Sequence, residues 1–204
     1  MPVLVFGGTF DPVHNGHLAI ARQARAATGA SAVWFVPAAL APLRDRPQAT
    51  PDERLDLLQA ACAESHEAGM AVLDIAIRRG GVSYTADVMD ELRAGHPDLD
   101  LAVLVGADAA RTIDRWHRAG DLLRGERFVI ANRTGVPPLE PAEVIRLGYA
   151  PSRTTLVTID SPDISASDVR DRCARGEPLG GLVPQVVASL IAAKGMYRQN
   201  RDDA

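Results

Sequence analysis

The chain has 204 residues, 47% hydrophobic and 24% charged, with a formal net charge of −4; that is the composition of a soluble globular protein with one sizeable core, and it excludes a disordered or fibrous chain. The negative balance excludes wholesale coating of nucleic acid, so any nucleotide has to be held by a local cationic site. Cys62 and Cys173 form no C-x-x-C pair, which excludes a disulfide framework or a structural zinc site and fits a reducing cytoplasm; with no leader-like N-terminus and no apolar run of membrane-spanning length, no membrane association is expected.

The first element is a short buried strand, Val3-Leu4-Val5-Phe6, followed by Gly7-Gly8-Thr9-Phe10-Asp11-Pro12-Val13-His14-Asn15-Gly16-His17-Leu18. Paired glycines directly after a strand let the backbone turn tightly and approach a ligand without Cβ interference. A helix is predicted from Gly16, with Leu18, Ile20, Ala21, Ala24 and Ala27 as its apolar face. Its first-turn amides and positive dipole end then point into the mouth of the loop, which suits phosphate. His14 and His17, three residues apart at this boundary, can converge on one anion. Taken alone, either histidine also reads as a surface or capping residue.

Along the rest of the chain, strands are predicted over 33–37, 71–76, 101–105, 127–131 and 155–159, after a first strand over 2–6. Helices are predicted over 16–28, 51–65, 84–95, 107–111, 118–124, 165–175 and 184–193. Pro37 to Pro47 carries three prolines and no periodicity, and reads as a flap over the site that includes Leu43, Arg44 and Arg46. Gly80 and Gly81 precede Tyr84 and Thr85 at a helix start. Gly106-Ala107-Asp108 follows the fourth strand, Trp116 comes soon after, and Arg133 lies just past the fifth strand. Proline-rich residues 132–154 are expected to carry one short helix across an edge. Ile164-Ser165-Ala166-Ser167-Asp168-Val169-Arg170 reads in two ways: as a capping box, Ser165 with Asp168, or as a second helix start facing the first, with Ser165, Ser167 and Arg170 on phosphates.

Alternation of strands and helices gives an α/β fold, a doubly wound parallel sheet with helices on both faces. Ligands in such sheets bind outside the carboxyl ends of the strands. The segments after strands 1, 2, 4 and 6 can therefore share one crevice. One domain is expected over 1–197, followed by a polar tail over 198–204.

The strand, the stretch 7–18 and the second helix start together resemble the H-x-G-H nucleotidyltransferase superfamily, and within it the bacterial nicotinate-mononucleotide adenylyltransferases. The resemblance covers nearly the whole chain and implies a Rossmann-like, nucleotidyltransferase-type fold. It also implies transfer of adenylate from ATP to nicotinate mononucleotide, giving nicotinate adenine dinucleotide and pyrophosphate. His17, His14 and Arg170 are then the catalytic groups. Gly7, Gly8, Thr9, Phe10, His14, His17, Asp108, Ser165, Ser167 and Arg170 bind ATP, and Arg44 is the flap's phosphate contact. Tyr84, Thr85, Trp116 and Arg133 bind the mononucleotide, Tyr84 and Thr85 at the nicotinate carboxylate and Trp116 on the ring. Magnesium comes with ATP, without dedicated protein ligands. The partners are ATP and nicotinate mononucleotide, with neither nucleic acid nor membrane; a homo-oligomer is compatible with the sequence, which does not define one. Relatives carry a basic pair in the flap where this chain has Leu43 and Arg44. That departure motivates one alternative, a nucleotide-binding sensor with weakened catalysis; a second, another H-x-G-H enzyme acting on nicotinamide mononucleotide or phosphopantetheine, rests on the shared motif.

Overall fold

Val3, Leu4, Val5 and Phe6 are all buried, as befits an inner strand of a parallel sheet covered on both faces. A computed structural model describes residues 1–198; residues 199–204 of the expected tail lie outside the described residues. In chain order the elements are β1 (Val3–Gly8), α1 (Asn15–Thr28), β2 (Ala32–Pro37), α2 (Pro51–Ser65), β3 (Met70–Val72), α3 (Ile75–Arg79), α4 (Thr85–Gly95), β4 (Leu101–Gly106) and α5 (Ala107–Ala110). After a 3₁₀ turn at Ile113–Arg115 come α6 (Ala119–Gly125), β5 (Arg127–Arg133), α7 (Pro141–Arg146), a second 3₁₀ turn at Pro151–Arg153, β6 (Thr154–Ile159), α8 (Ala166–Arg175) and α9 (Gln185–Lys194).

The strands form one sheet in the order β3-β2-β1-β4-β5-β6, and every pairing is parallel. The chain leaves β1 toward β2 and β3, then returns past β1 to β4, β5 and β6. The switch point of a doubly wound Rossmann-like sheet therefore falls between β1 and β4. Period-two alternation divides the core between the faces. Leu4, Phe6, Val33, Phe35, Leu104 and Val129 pack under α1, α2, α8 and α9. Val3, Val5, Val103, Val105, Phe128 and Ile130 face the side that carries α4, α6 and α7.

Local chemistry explains the helix ends. Thr50 caps α2 through a box with Glu53, and Pro51 sits at its first position. Gly29 ends α1 in the left-handed conformation at φ 62.

Two expectations need correction. The strand predicted over 71–76 ends at Val72, and the residues from Ile75 to Arg79 are helical. Leu73 adds one more bond to the Phe35 carbonyl, but β3 is an edge strand with a single neighbour, so Ile75 and Ile77 find no second ladder to hold them extended. On α1 the buried residues are Gly16, Ala19, Ile20, Ala21 and Ala24, while Leu18 is half-buried and Ala27 exposed. The short helix expected within 132–154 is α7. Among the described residues no helix is long and apolar enough to cross a membrane.

Candidate active site

The loop after β1 is built around two close approaches. A Cβ added at Gly7 would meet nothing within 4 Å, so the backbone there stays open to a ligand. At Gly8 it would lie 2.8 Å from the Phe10 ring, so the second glycine serves that ring instead. Phe10 takes the unusual φ of 50, and its buried side chain packs edge-on to Phe6, Phe35 and His17. Only the main chain of Phe10 is therefore left for a nucleotide. Gly16 explains the glycine of H-x-G-H: a Cβ there would come within 3.0 Å of His14 Nδ1.

The space left by Gly16 lets the imidazoles of His14 and His17 stack, with ring centroids 3.7 Å apart. The His14 main-chain N–H donates to His17 Nδ1 at 3.3 Å. With Nδ1 accepting, the His17 proton sits on Nε2, which is left as a donor. Burial holds the His14 pKa down at about 4, with the nearby Arg133 charge adding to the effect and Asp168 opposing it. Burial, then His14, then Arg133 keep His17 well below its ordinary value. Both rings are neutral donors at pH 7.

The amides of α1 are less free than the sequence suggested. The Asn15 N–H is taken by the Leu182 carbonyl and its side chain by the Gly181 carbonyl, so the loop before α9 closes part of the helix start.

Beneath the loop lie two buried charged groups that sequence reasoning missed. Asp11 is buried; its Oδ2 accepts from Gln48 N at 2.8 Å, and its Oδ1 from Ala49 N at 3.1 Å and the Tyr197 hydroxyl at 2.9 Å. Arg54 is fully buried and donates to the carbonyls of Thr9 at 2.6 Å, Ala39 at 3.0 Å and Ala49 at 3.4 Å. The one available signal was position: Arg54, Leu57, Leu58 and Ala61 form the buried stripe of α2, so an arginine stands where an apolar residue belongs.

The structure brings the predicted segments to one edge. Arg170, on α8, donates to the Asp11 carbonyl at 2.7 Å, joining the segments after β1 and β6. Arg44, in the flap, lies 3.8 Å from Asp108 after β4. Ser167 Oγ accepts from Arg170 and keeps its own proton free. Ser165 is committed elsewhere: its hydroxyl donates to Asp168 Oδ2 at 2.7 Å and accepts from Asp168 N at 3.1 Å, which is the capping-box arrangement. As placed, it offers phosphate no donor.

On the other flank Tyr84 is the N-cap of α4, with its ring 4.4 Å from that of His117. Trp116 is half-buried, and its indole N–H is bonded to Thr112 Oγ1 at 3.2 Å. Ser83 ties this flank to the flap, accepting from Ala39 N and donating to the Leu40 carbonyl, each at 2.9 Å. Arg133 is the last residue of β5, close enough for its charge to reach both histidines.

The cytidylyltransferase-like family model matches residues 5–172. The chain is 36% identical over 193 residues to a Herpetosiphon aurantiacus protein named "Probable nicotinate-nucleotide adenylyltransferase", spanning 95% of this chain and 96% of that one. It is 35% identical over 198 residues to a Roseiflexus protein of the same name, spanning 97% and 98%. The fold is similar to that of Plasmodium falciparum nicotinic acid mononucleotide adenylyltransferase complexed with NaAD, with a TM-score of 0.81 at 16% identity over 96% of this chain and 97% of that one.

Two measurements probe this arrangement. Arg54→Met leaves the buried carbonyls of Thr9, Ala39 and Ala49 without their shared donor, and urea unfolding should show a loss of about 3–5 kcal/mol. Arg54→Lys should recover little of it, since one ammonium cannot span the three carbonyls. For pH, the depressed His14 value means that below pH 6.5 the unfolded chain takes up a proton that the folded chain refuses until about pH 4. Stability is therefore full above pH 6.5, and His14 alone lowers it by up to about 3 kcal/mol as the pH drops to 4, with His17 adding to the fall in the same direction. His14→Asn should reduce that slope in denaturant titrations and leave the part due to His17; an unchanged slope would show that the burial of His14 does not contribute to it.

Proposed function

This chain belongs to the cytidylyltransferase-like family, and we infer that it is the nucleotidyltransferase that joins ATP to nicotinate mononucleotide, giving nicotinate adenine dinucleotide and pyrophosphate in NAD biosynthesis. The observation that carries the reading is the stacked, neutral pair His14 and His17 within reach of the Arg133 charge, with Arg170 bonded to the same loop at Asp11, at the switch point of a sheet whose strand ends share one edge. The relatives' similarity over nearly their whole length supplies the substrate.

The acceptor is a phosphate monoester with a second pKa near 6, already largely dianionic at pH 7, so it needs no general base. One of its oxygens attacks the α-phosphorus of ATP in line. The bond from that phosphorus to the bridging oxygen breaks, and the electron pair leaves on pyrophosphate. The protein's work is positioning and neutralisation of charge. His17 donates from Nε2 to the α-phosphoryl oxygens, which gain charge in the transition state. His14, Arg170 and Ser167 hold the β- and γ-phosphates, and Arg133 holds the mononucleotide phosphate. The main chain from Gly7 to Phe10 lies along the nucleotide, Asp108 takes its hydroxyls, and Arg44 adds a cation from the flap. Imidazole, guanidinium and main-chain N–H form a donor set for phosphate rather than for a metal, so magnesium would enter this site with ATP rather than on protein ligands and would supply charge neutralisation there. The start of α4 at Tyr84 and Thr85 faces the nicotinate carboxylate, and Trp116 covers the ring. The reaction belongs in the cytoplasm, consistent with the free thiols of Cys62 and Cys173.

His17→Ala should lower kcat by roughly 10²–10³, about 3–4 kcal/mol, as for loss of one oriented donor to a developing oxyanion. Pyrophosphate release measures it, and near-normal turnover would remove His17 from the chemistry. Selectivity tests the substrate. A helix start offers donors and no acceptor, so it suits a carboxylate, whereas the amide NH₂ of nicotinamide would face a donor and leave both groups unpaired. The ratio of kcat/KM for nicotinate over nicotinamide mononucleotide should be at least about tenfold, and Trp116→Ala should raise KM for the mononucleotide. Equal values for the two would overturn the substrate and leave adenylyl transfer standing.

A further inference from the structure

We propose that Tyr197 is a positioning residue for the triphosphate grip: its hydroxyl helps hold the buried Asp11 carboxylate away from Arg170, so that the Arg170 guanidinium stays available to the substrate. This rests on the assignment of Arg170 to ATP made above.

Arg170 stands between two acceptors of the same residue. Its Nη1 donates to the Asp11 carbonyl at 2.7 Å, yet lies 3.9 Å from Asp11 Oδ2, beyond hydrogen-bond reach. A paired guanidinium and carboxylate is the stronger arrangement, so the carboxylate would capture Arg170 if it were free to turn. Three neutral donors prevent that. Gln48 N and Ala49 N come from the base of the flap, and the third is the Tyr197 hydroxyl at 2.9 Å, from a residue 186 positions away. Among the described residues Arg170 Nε is buried without a partner and Nη2 reaches only Ser167 Oγ at 3.1 Å, so the guanidinium keeps unfilled donor capacity there.

The C-terminal segment is shaped to deliver this hydroxyl. After α9 and the left-handed Gly195, Met196 is buried and Tyr197 turns inward at a φ of 59. Burial and the Asp11 charge both raise the phenol's pKa, so it remains a donor at all working pH values. Tyr197→Phe removes the hydroxyl alone. The carboxylate then loses one of the two donors on Oδ1, carries more of its charge toward Arg170, and competes with the triphosphate for it.

The test is a double-mutant cycle read by calorimetric titration with ATP on the wild type, Tyr197→Phe, Arg170→Ala and the double variant, with KM for both substrates measured where turnover allows. Tyr197→Phe should weaken ATP binding about tenfold, leave KM for nicotinate mononucleotide within about twofold, and add nothing in the Arg170→Ala background. The proposal is overturned by unchanged ATP affinity, by equal weakening of both substrates with a lowered Tm, or by the same loss persisting without Arg170. A wild type that binds ATP but does not turn over nicotinate mononucleotide would refute the functional reading, while the cycle would still decide the role of Tyr197.

Discussion

A carboxylate that must be fully hydrogen-bonded because it is buried organises this site. Taking Asp11 and Arg54 out of water costs several kcal/mol for each ion. That cost is offset only if every remaining lone pair and N–H is satisfied. The partners that satisfy them come from four places: the loop after β1 through Thr9, both ends of the flap through Ala39 and Gln48–Ala49, helix α2 through Arg54 itself, and the C-terminal turn through Tyr197. None of these segments can shift without exposing or orphaning a charge. The position of the loop after β1 is thus set by its own Asp11 together with the interior groups that Asp11 and Arg54 bind beneath it.

Above this layer the electrostatics are divided between two kinds of group. Permanent positive charge is carried by Arg133 and Arg170. The imidazoles of His14 and His17 are kept neutral by burial and by Arg133. Neutral histidines cost little to bury, whereas two imidazolium ions stacked at 3.7 Å would repel each other strongly. In the proposed reaction they would serve as oriented dipoles whose donors are in place before the substrate arrives. Such preorganisation is effective when charge develops on oxygen, because nothing then has to rearrange.

The edge that gathers the candidate site was largely legible in the sequence because its parts are local. Two glycines after an apolar strand, a helix start, and Ser165 three residues before Asp168 all act within one turn, and turn-scale chemistry is written in adjacent residues. The regular alternation of elements likewise placed the sheet and its active edge. What could not be read were contacts made at a distance. Nothing near Tyr197 announces that its hydroxyl meets Asp11, and the role of Arg54 depends on three carbonyls brought together only by folding. The misreading at Ile75 has the same origin, for whether Ile-Ala-Ile is strand or helix depends on how many neighbouring strands are present to pair with it. Ser165 shows the converse: a local pattern that fitted two roles, in which the capping box with Asp168 engages the hydroxyl proton that the phosphate role required.

The flap shows how firm and loose parts can coexist in one segment. Its base is pinned: Ala38 N bonds the Gly8 carbonyl, Ala39 is held from both sides by Arg54 and Ser83, and Gln48 and Ala49 are fixed on Asp11. Its tip is held by far less. The pair Arg44–Asp108 is long at 3.8 Å, and its side chains are 65% and 43% exposed. Such a contact contributes at most about 1 kcal/mol. A triphosphate concentrates several negative charges where Asp108 offers one, so Arg44 can exchange its partner at small cost while the base stays in register. Leu43, apolar and exposed, brings no charge of its own. The flap's positive charge is therefore carried by Arg44 and Arg46, on a tip far more loosely held than the layer below.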